Sequence, residues 1–283
     1  MRKNKLLFQL LSCFLFSLLG LQIKFSFNHN SIETIVFYRS LIGTIVLYCL
    51  FIFYKKKIVI IANKNIKFHI LRSFLGVLAM YFGYKALTLL PLSLASTIGF
   101  TKVFFASLMS WLILKEKPTL TNFLLVFFGF SGVYLITLPS TISEIDGVIL
   151  SLLSSIFVSG GIITVSYLTK KETTINILIF HSAISSILTF LIFFDGISFN
   201  IKESFFPLFL LTITALTGQY FNIESYRDEK ASSIILVSYT RIIFSTTLGF
   251  LFLDEKISFT ALFGILIIIT STFFIQKPQV KKN

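Results

Sequence analysis

The sequence predicts an all-α polytopic membrane protein, with ten transmembrane helices arranged as two inverted five-helix repeats, and three observations carry that expectation. The first is composition: of 283 residues, 55% are hydrophobic and 13% charged, with mean hydropathy +0.88, whereas an ordinary soluble domain is about 25% charged. The second is an uneven division of Lys and Arg between alternate loops. The third is an internal repeat in which polar residues coincide as well as apolar ones.

Each crossing helix needs roughly 20 apolar residues. Segments that satisfy this, bounded by charges or turn residues, run over 6–23, 34–54, 67–89, 92–114, 121–138, 147–168, 175–194, 205–226, 231–253 and 259–275. These are spans one to ten. Their connections are short, Leu90-Pro91 and Lys115-Glu116-Lys117-Pro118 being two, so consecutive spans are antiparallel neighbours. The runs are continuous and lack the period-two alternation of a membrane strand. Met1-Arg2-Lys3-Asn4-Lys5 before an apolar run resembles a signal peptide, but no small-residue cleavage site follows, and this segment is read as a retained first span.

With the N-terminus inside, the cytoplasmic segments hold 17 of the 25 basic residues and the opposite side 3, namely Lys24, Lys202 and Lys256. The other five, Arg39, Arg72, Lys85, Lys102 and Arg241, fall within spans or at their ends. Both termini are therefore expected in the cytoplasm, and the net charge of +13 is accounted for by orientation rather than by nucleic acid. Cys13 and Cys49 sit in apolar runs and read as packing residues. His29, His69 and His181 share no metal-ligand spacing, and no P-loop is present. A disulfide framework, a metalloenzyme and an ATP-driven pump are thereby disfavoured, and no cofactor is expected.

Ser93 to Lys117, SLASTIGFTKVFFASLMSWLILKEK, lies over Ser232 to Lys256, SSIILVSYTRIIFSTTLGFLFLDEK, without a gap at an offset of 139 residues. Thr101-Lys102 then meets Thr240-Arg241. Earlier in the halves the offset is 142, and Phe37-Tyr38-Arg39-Ser40 meets Ile179-Phe180-His181-Ser182. The expected repeats are residues 1–140 and 141–283, the second including a short cytoplasmic tail. Five spans per repeat is an odd number, so the second copy enters the membrane from the other side, as in many secondary transporters.

These features together resemble the EamA branch of the drug/metabolite transporter superfamily. The resemblance rests on the Arg in Phe37-Tyr38-Arg39-Ser40, the stretch YFGYKALTLLPLSLASTIGF, the ends Lys115-Glu116-Lys117 and Asp254-Glu255-Lys256 of spans four and nine and the glycine-bearing span five LLVFFGFSGVYLI. It covers about residues 6–275. Two departures are Lys102, where members often carry Pro, and His181 as the partner of Arg39. The resemblance implies an inner-membrane carrier of small organic solutes with spans three, four, eight and nine lining the cavity.

An ionisable group inside a span asks for a reason. Lys102 and Arg241 each lie about ten residues into their spans and are equivalent under the repeat. They are the leading substrate-binding candidates, as cations for a carboxylate or phosphate; the alternative is that buried partners neutralise them and they only hold the bundle. Tyr81, Gln219, Tyr220 and Tyr239 follow, ahead of softer candidates such as Gln9, Gln22, Tyr84, Ser96 and Asn222. Arg39 reads as a gate or as an anchor of the bundle, and Lys85 as a cavity-mouth cation or a snorkelling one. His181 reads as a proton-coupling group or as a packing histidine. The 35 phenylalanines read as lipid-facing.

The expectation is thus a secondary transporter in the inner membrane, moving an amino acid, a nucleoside-like compound or an organic anion or zwitterion by alternating access, with proton or counter-solute coupling open. Its partners would be a small-molecule substrate and the bilayer, not nucleic acid. The rivals are a channel or lipid scramblase and a membrane-embedded lipid-modifying enzyme; the enzyme would need a clustered acid, base or metal set.

Overall fold

The computed structural model describes residues 2–53, 65–102, 145–227 and 237–255, together with residues 105, 106, 109, 124, 127, 128, 131, 234, 259, 263, 266 and 267. Among them the chain is helical throughout, with no strand. The helices are α1 (Arg2–Phe27), α2 (Ile32–Phe53), α3 (Ile66–Leu89), α4 (Leu92–Ile98), α5 (Ile145–Leu168), α6 (Thr174–Phe193), α7 (Phe205–Tyr226) and α8 (Thr240–Leu253). Six of these, α1, α2, α3, α5, α6 and α7, are long and apolar enough to cross a membrane. Spans five and ten lie largely outside the described residues; the positions described within them are helical.

The continuous spans expected over 92–114 and 231–253 are interrupted. α4 ends at Ile98, Gly99 and Phe100 form a turn, and Thr101 and Lys102 are helical again. In the second half Ile234 and Val237 are helical, Ser238 and Tyr239 turn, and α8 begins at Thr240. The two breaks are equivalent at the 139 offset. At the first, Phe100 N–H donates to Thr97 O at 3.0 Å; at the second, Arg241 N–H donates to Ser238 O and Ile242 N–H to Tyr239 O, each at 3.0 Å. These three-residue bonds tighten the backbone and leave carbonyls that need other donors. Neither break contains proline, so the apolar pattern runs through them unmarked.

Neighbouring helices supply the donors in a paired way. Ser159 Oγ on α5 donates to Lys102 O at 2.9 Å, and Ser17 Oγ on α1 donates to Arg241 O at 3.1 Å. Ser155 Oγ reaches Ile98 O at 3.5 Å, and Cys13 Sγ reaches Val237 O at 4.0 Å. Ser17 with Ser159 and Cys13 with Ser155 are related by the 142 offset, and Lys102 with Arg241 and Ile98 with Val237 by 139. One pair of contacts thus occurs twice.

Helix pairing follows the same exchange. α3 packs along α5 and α1 along α7, α2 meets α6, and α4 meets α8; swapping span one for six, two for seven, three for eight and four for nine maps this set onto itself. One apolar core gathers Leu168, Ile177, Tyr226 and Ile242. A second gathers Ile23, Ile35, Leu92, Leu208 and Leu211. The outer faces carry Phe53, Leu191 and Phe206, each more than two-thirds exposed, which suits contact with acyl chains.

Polar contacts close both ends. At one, Lys5, Thr174 and Arg227 surround Glu224, while the buried pair His69 Nε2 and Glu172 Oε2 lies at 2.8 Å with Asn65 donating to Glu172 Oε1 at 3.0 Å. At the other, Glu255 accepts from Leu92 N–H at 2.5 Å and from Ser93 N–H and Oγ at 3.2 and 2.8 Å, with Lys24 Nζ 3.8 Å away. Glu255 follows Asp254, whose φ of 53° ends α8 in the left-handed region. Asp tolerates that conformation better than most residues.

Candidate functional site

A cavity of about 230 Å³ lies inside the bundle, with walls from α1, α2, α3, both breaks, α5, α6 and α7. Four cations line it, Arg39, Arg72, Lys102 and Arg241, along with His181. No Asp or Glu does so among the described residues, and none lies within ion-pair distance of these four.

Each cation is held by something other than an opposite charge. Lys102 Nζ sits 4.5 Å from the centroid of Phe100, and Arg241 Cζ 5.5 Å from that of Phe16. Both contacts use the negative ring face. Arg241 Nη2 also donates to Phe16 O at 3.3 Å, while its Nε is buried without a partner. Arg39, 7% exposed, donates from Nη1 to Tyr84 Oη at 2.6 Å and touches Met80 Sδ. Arg72 Nε is likewise buried and unpartnered. Its Nη1 occupies the space beside Gly76 and Gly161, where added Cβ atoms would approach to 2.7 and 3.7 Å.

Uncharged polar groups of the wall include Gln9 on α1, Ser151, Ser154 and Ser155 on α5, and Gln219 and Asn222 on α7. Gln9 Nε2 donates to Ser238 Oγ at 2.7 Å, and Gln9 Oε1 accepts from Ser225 Oγ at 2.6 Å and Asn222 Nδ2 at 3.3 Å. Gln9 thereby fixes the second break against α1 and α7. Buried cations left without an opposite charge cost several kcal/mol.

Of the nine leading residues singled out from the sequence, Lys102, Arg241, Gln219, Arg39 and His181 come together around this cavity, joined by the softer candidates Gln9, Tyr84, Ser96 and Asn222. The remaining four lie elsewhere. Tyr239 is 1% exposed and stacks on Phe100, with ring centroids 5.2 Å apart, directly behind the wall. Tyr81 donates to Glu33 Oε1 at 3.1 Å and stacks on Phe193 at 4.4 Å. Lys85 is exposed, its Nζ 5.6 Å over the Tyr81 ring. Tyr220 is 39% exposed beside Phe221 on the outer side of α7. Arg72 was absent from the sequence candidates, and Cys13, read there as packing, lines the cavity. The available signal for Arg72 was a glycine four residues on, which places both on one helix face.

The profile of the EamA-like transporter family matches residues 3–138 and again residues 145–276. The chain belongs to this family. As an EamA protein of the drug/metabolite transporter superfamily it is a multi-pass membrane protein. Its relatives carry transporter names. The pseudopaline exporter CntI of Pseudomonas aeruginosa is 25% identical over 94% of both chains. The S-adenosylmethionine uptake transporter of Rickettsia prowazekii is 22% identical over 87% of this chain and 83% of that one. A solved crystal structure aligns over 98% of both chains with a TM-score of 0.78 at 15% identity, which shows the fold this EamA chain shares.

Proposed function

We propose that the chain is a secondary transporter of a small organic metabolite bearing an anionic or zwitterionic group, which Lys102 and Arg241 engage in the central cavity. The observation that carries the reading is the placement of these two cations beside equivalent helix breaks, lining one cavity with no described carboxylate to neutralise them. Discontinuous helices at a repeat interface are a recurring substrate site in carriers. Relatives named for pseudopaline export and S-adenosylmethionine uptake favour a metabolite as cargo.

The architecture in this reading is ten helices in two inverted repeats, residues 1–140 and 141–283, working by alternating access in the inner membrane with both termini cytoplasmic. The twice-matched family profile, the exchange-symmetric helix pairing and the duplicated Ser17 and Ser159 contacts support it. Gln219 and Asn222 add neutral hydrogen-bonding capacity. Tyr239 positions the break, and Arg39 and His181 lie where the cargo would pass. Tyr81 and Lys85 belong to one end of the bundle.

Uptake into proteoliposomes, with unlabelled metabolites as competitors, tests the reading. Lys102→Ala and Arg241→Ala are expected to insert normally and to raise the apparent KM for the competing metabolite by about tenfold or more, the scale of one lost charge-assisted contact. Unchanged apparent affinity in both variants would sink the assignment.

A further inference from the structure

We propose that the cavity contains a second anion subsite, built from Arg39, Arg72 and His181, so that the cargo is a compact organic dianion or polyanion rather than a zwitterion. This rests on the reading of Lys102 and Arg241 as the first subsite. The five groups fall into two neighbourhoods. Arg39 and His181 share a small recess of the cavity wall, and Arg72 Nη1 and His181 Cε1 converge beside Gly76, whereas Lys102 and Arg241 flank the two helix breaks. Arg39, Arg72 and His181 are carried by α2, α3 and α6, and Lys102 and Arg241 by the two breaks, against α1.

The group of Arg39, Arg72 and His181 has the marks of a built site. Gly76 and Gly161 leave space that Arg72 Nη1 fills, and a Cβ on Gly76 would meet both Arg72 Nη1, at 2.7 Å, and His181 Cε1, at 2.6 Å. Tyr84 Oη fixes Arg39 from one side. Ser185 Oγ lies 3.2 Å from His181 Nδ1, and no described hydrogen bond engages Nε2. Arg72 Nε is buried with no partner. Guanidinium groups held apart from every described carboxylate and next to a hydrogen-bonding imidazole suit a planar, multidentate anion. A cargo ammonium group would meet four cations and no acid in the described lining.

The test uses the full chain in nanodiscs, titrated with succinate, citrate and 3-phosphoglycerate as polyanions and with butyrate and lactate as monoanions, read by calorimetry and thermal unfolding. At least one polyanion should bind about tenfold more tightly than either monoanion. Arg72→Gln should abolish that preference and raise the melting midpoint of the empty protein, because an uncompensated charge is removed. Arg72→Lys should restore part of the preference. If Arg72→Gln binds the polyanion as wild type does, or only lowers the empty midpoint, the second subsite is wrong while the first stands. No preference for any polyanion also overturns it. Should Lys102→Gln leave all anion binding intact, the underlying anion reading fails instead.

Discussion

Gly76 is the residue on which two of the cavity's side chains depend. A methyl group there would press on Arg72 Nη1 and His181 Cε1 together, while the helix itself would gain up to about 1 kcal/mol from the better helix former. Gly76→Ala is therefore expected to keep or raise the melting midpoint yet lower transport about tenfold, the rate change that a misplaced positioning group of about 1.4 kcal/mol produces. A variant with wild-type uptake would show that the glycine is dispensable to the site. Legibility at this scale depended on repetition. Lys102 and Arg241 stood out in the sequence because each has a cationic twin at the other's place. Arg72 has Leu211 at its equivalent position, and a cation so near the start of an apolar run reads as interfacial until the partner helices are in place. Tyr220 misled in the opposite sense: its neighbour Gln219 lines the cavity, but the next residue along a helix turns about 100° away, onto the outer face.

At the scale of elements, α4 is a seven-residue helix between a proline and a break, too short to be stable alone. Its first turn is secured by Glu255, arriving from beyond the left-handed Asp254 at the end of α8. A carboxylate on the N–H groups of a helix start also meets the positive end of the peptide dipoles. Glu255→Gln keeps one acceptor and loses the charge, so it should cost about 1 kcal/mol and lower the melting midpoint by a few degrees, with Lys24 released from its ion pair. Differential scanning fluorimetry of the purified protein measures this, and an unchanged midpoint would show that Glu255 contributes little to α4. The six long helices were legible because length and apolarity suffice for them. The breaks were not. Ser238-Tyr239 contains neither glycine nor proline and Gly99-Phe100 a single glycine, of a kind that apolar spans often carry; what makes the breaks tolerable is external, namely hydroxyls on α1 and α5 that take up the carbonyls.

For the whole molecule, orientation is the expectation most open to a direct check. With Cys13 and Cys49 replaced, Lys202→Cys should react with a membrane-impermeant maleimide from outside intact cells, and Lys171→Cys only after permeabilisation. The reverse pattern would place the termini outside and invalidate the reading of the 17-to-3 division of basic residues. Family and membrane class were legible because they depend on features spread along the chain, which single residues barely perturb. The cavity's surplus of positive charge was only half legible, since it requires knowing which in-span cations converge.

In the alternating-access reading proposed above, the stacked rings of Phe100 and Tyr239 bring one further consequence. They join the two breaks, with ring centroids 5.2 Å apart. A ring pair can pivot and slide with little loss of contact, which a hydrogen bond cannot. It would serve as a fulcrum, letting each half-helix tilt against its counterpart like the arms of a seesaw while the bound cargo rides beside the pivot.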